Sequence, residues 1–211
     1  MSVAASESLY SVEEYLELER KAEERHQYLD GYIFLMAGES PEHADISSNL
    51  VALVSAELRG TSCRVRTKDT KVRSGPAIAH RRIARVLFSY PDIVVICGEP
   101  QYHDQHRDVI LNPSAIIEVL SDSTEAFDRG EKFHRYQAWN PTLTDYLLVS
   151  QRAPIVEHYI RQPESRWSYR IIAGLDERFT IESIGCTLQL ENVYDRIVFP
   201  LDEEDEDRVL V

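Results

Sequence analysis

The run Ala115-Ile116-Ile117-Glu118-Val119-Leu120 is apolar at every position but one. So short a run, rich in β-branched residues, reads as a strand rather than a helix. Continuous apolarity, in place of alternation, marks a strand covered on both faces, the pattern of an α/β sheet. Glu118 is therefore the informative residue. Left charged, buried and unpaired it costs several kcal/mol, so it must be protonated, ion-paired, turned to a polar side or bound to a metal.

A second run of the same kind, Pro91-Asp92-Ile93-Val94-Val95-Ile96-Cys97, opens on an acid. The fixed φ of Pro91 helps aim the turn into it. If the two strands are neighbours, Asp92 and Glu118 converge as hard oxygen ligands suited to Mg²⁺ or Mn²⁺. Taken singly, each residue has an ordinary explanation: an Asp after Pro sits in a turn, and a lone strand Glu is exposed or paired. The helix that follows adds weight. Asp128 and Lys132 are four apart and share a helical face. They form either a surface ion pair worth a few tenths of a kcal/mol or a site, with Lys132 reaching over Glu118 to orient a water or stabilise charge on a scissile phosphate. Tyr136, one turn on, either packs or lines the cleft.

Outward from this centre the pattern is mixed α/β. Ser11 and Glu14 make a capping box, Tyr10 can staple onto Tyr15, and a helix is expected from about Val12 to about Gln27. Asp30-Gly31 between apolar runs signals a tight hairpin. Ser40-Pro41 opens a second helix carrying Ile46, Leu50, Leu53, Val54 and Leu58 at helical spacing, and Gly60 ends it. Cys63 to Val72 alternates loosely, as one half-exposed strand. Gly98 to Asn112 is polar and reads as a loop. Asp122 with Glu125 can cap a third helix that Pro141 stops after Trp139. Tyr146 to Val149 is a strand, Ile155–Ile160 and Trp167–Ile172 form a hairpin, and Phe179 to Ile184 leads a short β-rich end. The expected architecture is a mixed sheet flanked by helices, in a single domain over residues 1–200 with an acidic tail at 201–211.

The 211 residues carry a net charge of −13, which discourages a quick assignment to nucleic acid. The charge is uneven. Asp202 to Asp207 is unbroken acid, whereas Arg64, Arg66, Lys68, Lys71, Arg73, Arg81 and Arg82 face the single acid Asp69. That segment either attracts a phosphate backbone or is a solvated strand and loop. Cys63, Cys97 and Cys186 are far apart and lack ligand spacing, so they read as reduced, buried thiols in a reducing cytoplasm. No apolar run reaches the roughly 20 residues of a membrane span, and Met1 to Ser8 lacks the features of a secretion signal. His103 and His106 have no third ligand at suitable spacing. A Gly-rich phosphate loop and a G-x-S-x-G elbow are both absent from the sequence.

Pro91-Asp92, Glu118-Val119-Leu120-Ser121, Ser123-Thr124, Asp128-Arg129, Lys132 and Tyr136, in this order and spacing, resemble the Uma-two family of restriction endonuclease-like proteins, a branch of the PD-(D/E)XK nuclease-like superfamily. The similarity runs from Leu9 to about Pro200 and includes the early helix, the Asp30-Gly31 hairpin, Met36-Ala37-Gly38, His43 and Tyr146-Leu147-Leu148-Val149. The resemblance implies a restriction-endonuclease-like fold and a metal-dependent DNA endonuclease, with Asp92 and Glu118 as Mg²⁺ or Mn²⁺ ligands. The superfamily places a lysine two residues after the acidic ligand; here that position is Leu120, and Lys132 is the implied substitute. Many relatives carry acids where this chain has Gln27 and Tyr32; Glu23 and Glu24 remain nearby, with Glu23 a lesser ligand candidate, and Asp69, in the basic strand, is a further family-like position and lesser candidate. Arg64, Arg66, Lys68, Lys71 and Arg73 are the expected DNA contacts, and a homodimer is a further expectation. The alternative is an inactive nuclease-like fold that serves as a binding module.

Overall fold

The computed structural model describes residues 9–36, 38–76 and 85–199. Arg81, Arg82, Ala37 and the acidic tail lie outside them. Helix α1 (Val12–Glu19) begins at Ser11, whose hydroxyl accepts the Glu14 N–H while the Glu14 carboxylate accepts the Ser11 N–H. Strands β1 (His26–Leu29) and β2 (Tyr32–Leu35) pair antiparallel across Asp30-Gly31, both at positive φ, as a two-residue hairpin turn requires. Helix α2 (Pro41–Glu57) is capped by Ser40. Then come β3 (Cys63–Thr67), β4 (Lys71–Ser74), β5 (Leu87–Ser89), β6 (Ile93–Cys97), β7 (Val109–Ile110) and β8 (Ala115–Val119). Helix α3 (Glu125–Phe127) runs through a π-helical turn (Asp128–Lys132) into α4 (Phe133–Trp139). Strands β9 (Asp145–Val149), β10 (Ile155–Arg161), β11 (Trp167–Ala173), β12 (Arg178–Ile181) and β13 (Cys186–Gln189) and helix α5 (Leu190–Val193) complete the chain.

Two larger sheets share the work. The first is ordered β2-β1-β5-β4-β7 and the second β11-β10-β9-β8-β6-β3; β12-β13 is a separate ribbon. In the second sheet β8 pairs antiparallel with β6 and parallel with β9, so the sheet is mixed as expected. Alternation along β6 and β8 divides the core. Ile93, Val95, Ile117 and Val119 pack with α2 and the C-terminal ribbon, while Val94, Ile96, Ile116 and Leu120 pack with α4. Both faces are covered, which is why these strands are continuously apolar. A third cluster seats α1 on the first sheet through Tyr15, Tyr28 and Phe88. The chain crosses from the first sheet to the second between β5 and β6, at Tyr90-Pro91-Asp92.

Several expectations are corrected. Helix α1 stops at Glu19 and Gln27 lies in β1, because the Glu19 carboxylate accepts the His26 N–H at 2.9 Å and Tyr28 is drawn into the α1 cluster. The segment Cys63–Val72 is not one strand. A turn closed by Thr70 N–H to Thr67 C=O (2.9 Å) moves the chain from one sheet to the other. The loop after β6 contains β7. Thr124, not Asp122, precedes α3, and Asp122 pairs with Arg152 instead.

Cys63 and Cys97 are not free thiols. They face each other across β3 and β6 and form a disulfide, leaving Cys186 as the buried thiol. Burial pushes the Cys186 thiol up to about 12, with Glu57 adding to the shift. The reading of all three cysteines as free thiols is therefore corrected at Cys63 and Cys97. The disulfide closes a sequence separation of 34 residues, for which the chain-entropy relation gives roughly 3–4 kcal/mol. Denaturant unfolding with and without a thiol reductant should show a loss of that order, and Cys63→Ser should reproduce it without reductant. Among the described residues no helix is long and apolar enough to cross a membrane.

Candidate active site

Asp92 and Glu118 come together through strand register. The last ladder pair of β6 and β8 at this end is Ile93–Ile117, so Asp92 and Glu118 each lie one residue beyond it, near enough for Asp92 to act on the Glu118 carboxyl. Asp92 does not drift, because its Oδ2 accepts the Val119 N–H at 2.7 Å and its Oδ1 lies 2.9 Å from His43 Nε2. His43 is itself held at the start of α2. Its backbone N–H donates to the Ser40 hydroxyl, and the Ser40 hydroxyl donates to the Gln151 side-chain oxygen. The Gln151 amide donates to Leu120 C=O and faces His43 Nδ1 at 3.4 Å, so it holds the ring with Nε2 toward Asp92.

Glu118 is 3% exposed, Asp128 3% and Lys132 4%. Lys132 Nζ lies 2.8 Å from Glu118 Oε1 and donates to Asp128 Oδ1 at 2.9 Å. The residues that place this ammonium are in the π-helical turn, a feature often found at functional sites. Tyr146 donates to the Asp128 C=O, and Phe133 stacks on Tyr146 at 5.0 Å, so the turn is locked to β9. Tyr136 is fully buried and its hydroxyl meets Ser89 at 2.8 Å; it packs rather than lines an open cleft.

Burial raises the Glu118 carboxyl well above the usual range, with Asp128 and Asp92 adding to the shift and Lys132 opposing it. Burial pulls Lys132 down, but Asp128 and Glu118 outweigh it and hold the ammonium well above its ordinary value. Two carboxyl groups, Glu118 and Asp128, thus face one ammonium, and Asp92 acts on Glu118 as a further neighbour. A divalent cation would favour the ionised form of Glu118, and the donors are hard oxygens, so the residues fit Mg²⁺ or Mn²⁺. Among the described residues no group of three or more His, Cys, Asp or Glu converges in ligand geometry. The pair Asp92 and Glu118 offers two protein ligands, a number with which Mg²⁺ is commonly bound when water and substrate phosphate fill the remaining positions. Gln27 faces the same side, one step from the Tyr28–Phe88 pair and so beside Ser89, and its Oε1 is buried without a hydrogen-bond partner.

The remaining candidates are dispersed. Glu23 is exposed in the α1–β1 connection. Asp69 is exposed and pairs with Arg25 at 3.3 Å. Lys71 is buried between Tyr90 (3.2 Å) and Asp108 (3.0 Å), and Tyr90 donates onward to Glu19 at 2.6 Å. Arg73 is spent on the Gly75 and Pro76 carbonyls, and burial lowers its pKa. Both sit on β4 inside the first sheet. Arg64 and Arg66 are exposed on the edge strand β3, and Lys68 pairs with Glu39 one step past the β3–β6 ladder, beside Asp92. Sequence reading named Asp128 only as the helical partner of Lys132 and in the family motif, and gave Gln151 no role. The spacing of Asp128 with Lys132 between Phe127 and Phe133 carried a signal of burial; Gln151 carried none.

The comparisons agree with this fold. Residues 12–191 match the family described as "Uma2: Putative restriction endonuclease". An uncharacterized protein of Synechocystis sp., slr1290, is 34% identical over 189 residues, covering 90% of this chain and 93% of that one. A second from the same organism, sll1609, is 32% identical over 174 residues, covering 82% and 93%. A crystal structure from Anabaena variabilis, described as "a putative nuclease belonging to DUF820", shares the fold with a TM-score of 0.69 at 15% identity, over 89% of this chain and 99% of the other. With its fold and most of its length accounted for, this chain belongs to the Uma2 family, the family of restriction endonuclease-like proteins.

Proposed function

We propose that this chain hydrolyses phosphodiester bonds in DNA with the help of Mg²⁺ or Mn²⁺ held by Asp92 and Glu118. The observation that carries the reading is a buried cluster of Glu118, Asp128 and Lys132 beside Asp92 at the junction of the two sheets. A protein that needed only stability would gain by replacing such a cluster with apolar side chains. Membership of the family supports a hydrolase acting on phosphodiesters.

When bound, the cation supplies Lewis acidity at the phosphoryl group and acidifies a water. The chain's own residues do the rest. Asp92 is held in one orientation by the Val119 N–H and His43, so its carboxylate needs little reorganisation. Lys132 turns its ammonium from Glu118 toward the charge that develops on the phosphate, and Asp128 keeps it protonated while it does so. Leu120 stands where the superfamily carries its lysine, and Lys132 delivers the same charge from the helix. Arg64 and Arg66 contact strand phosphates and set position rather than sequence preference.

Incubation of the protein with supercoiled and linear DNA, in Mg²⁺, in Mn²⁺ and in EDTA, should give cleavage only with a cation. Cleavage that persists in EDTA would sink the reading. The double substitution Arg64→Ala/Arg66→Ala should weaken DNA binding about equally for all sequences. It should also reduce the slope of log affinity against log salt by about 2. An unchanged slope would remove these two residues from the interface.

A further inference from the structure

Two aromatic side chains on the first sheet's edge hairpin take no part in the chemistry above. Tyr32 and Phe34 lie on β2, the edge strand of the first sheet, with ring centroids 6.4 Å apart and planes inclined at 45°. Tyr32 is 42% exposed. Ile33 between them turns toward the α1 cluster, whereas Tyr32 and Phe34 share the opposite face with their cross-strand partners Leu29 and Gln27. That face leads to the site. Phe34, Gln27, Ser89 and Val72 form a row across the sheet; Ser89 meets Tyr136, and Val72 belongs to the core under α4.

Arg25 fixes the near end of the hairpin against the catalytic side. Its guanidinium donates to Lys68 C=O at 2.9 Å, and its own C=O accepts the Met36 N–H at 2.9 Å. The hairpin therefore abuts the β3–β4 turn, next to Asp92. Beyond that turn β3 exposes Arg64 and Arg66, opposite Ile96 and Val94 and so on the same face of the second sheet as Asp92 and Glu118. Aromatic faces thus lie to one side of the carboxylates and cations to the other.

The chemistry of that arrangement discriminates between forms of DNA. A duplex buries the faces of its bases and offers an aromatic ring little to stack on, and so net-acidic a chain has few cations with which to hold one. An unpaired base presents a free π-face, and stacking it on an aromatic side chain is worth enough to supplement a short cationic track. We propose that the site takes DNA whose bases are unpaired where it is cut, a single strand or an opened end, with Tyr32 stacking a base and Phe34 backing it. This rests on the phosphodiesterase reading for the path of the strand, but the stacking itself is readable without cleavage.

The test is fluorescence anisotropy of the full chain in EDTA, with a labelled oligothymidine, an abasic strand of equal length and a duplex. The single strand with bases should bind more tightly than the abasic strand. Tyr32→Ala should weaken the oligothymidine complex roughly tenfold while leaving the abasic strand and the duplex nearly unchanged, and Tyr32→Phe should retain wild-type affinity. Because Tyr32 is exposed on an edge strand, a circular dichroism spectrum like that of the parent is expected for both variants. Equal affinity for strands with and without bases would overturn the inference, as would a Tyr32→Ala variant that weakens all three alike or none. Base stacking without any metal-dependent cleavage would instead fault the hydrolase reading and leave the platform standing.

Discussion

Glu118→Gln should abolish metal-dependent cleavage, by at least about 10²–10³-fold, while leaving the protein as stable as the parent or more so at neutral pH. The two halves of this expectation have one cause. Glu118 is buried on the α4 face of β8, and burial raises its carboxyl well above the usual range. A carboxyl whose folded pKa is raised contributes stability that is fully present below its unfolded value, about 4.3. That contribution is lost as pH rises through the folded pKa. Gln is the shape of the neutral acid and keeps it at every pH. Parent and variant should therefore unfold alike in mild acid, and the variant should gain on the parent as pH rises toward and beyond neutrality. Thermal unfolding across that range reads the stability, and a plasmid cleavage assay reads the function. A variant that cuts as well as the parent would remove Glu118 from the chemistry. One that is far less stable at high pH would show that the ion pair with Lys132 outweighs desolvation.

Lys132→Met should destabilise the fold by about 3–5 kcal/mol, because it leaves Glu118 and Asp128 buried without their cation. For a chain of this size that is a fall in Tm of roughly 6–20 °C. The charge argument separates from packing in the triple variant Lys132→Met/Glu118→Gln/Asp128→Asn, which has no buried charge left in the cluster and should recover most of the loss. If the triple variant is as unstable as the single one, shape rather than charge holds the π-helical turn in place. A surface pair, the other meaning this i,i+4 spacing allowed, would lose less than 1 kcal/mol.

The parts of the fold that sequence carried were those with a local cause. The Ser11 capping box, the Asp30-Gly31 turn and the Ser40-Pro41 helix start each depend on residues within a few positions, and each is where it was expected. The covered strands β6 and β8 were legible because burial on both faces leaves no polar alternation. Long-range pairing was not legible. The Cys63–Cys97 bond depends on β3 lying beside β6, and nothing in the intervening residues announces that. The same holds for Lys71, which reads as a basic surface residue until Asp108 and Tyr90 close over it. At the site, Asp92, Glu118 and Lys132 stood out because each breaks an apolar or amphipathic pattern. His43 and Gln151 support Asp92 from distant elements and break no pattern, so only His43 was named, and that through the family resemblance.

The measurement closest to the central claim is Mn²⁺ binding followed by electron paramagnetic resonance, with a phosphorothioate oligonucleotide present to supply phosphate oxygens. Wild-type protein, Asp92→Asn and Glu118→Gln would be compared under the same conditions. The account predicts a tightly held ion in the wild type that is released in both variants while the oligonucleotide stays bound. Equal retention of Mn²⁺ by all three proteins would contradict it, because the metal would then be held without the two carboxylates that define the site.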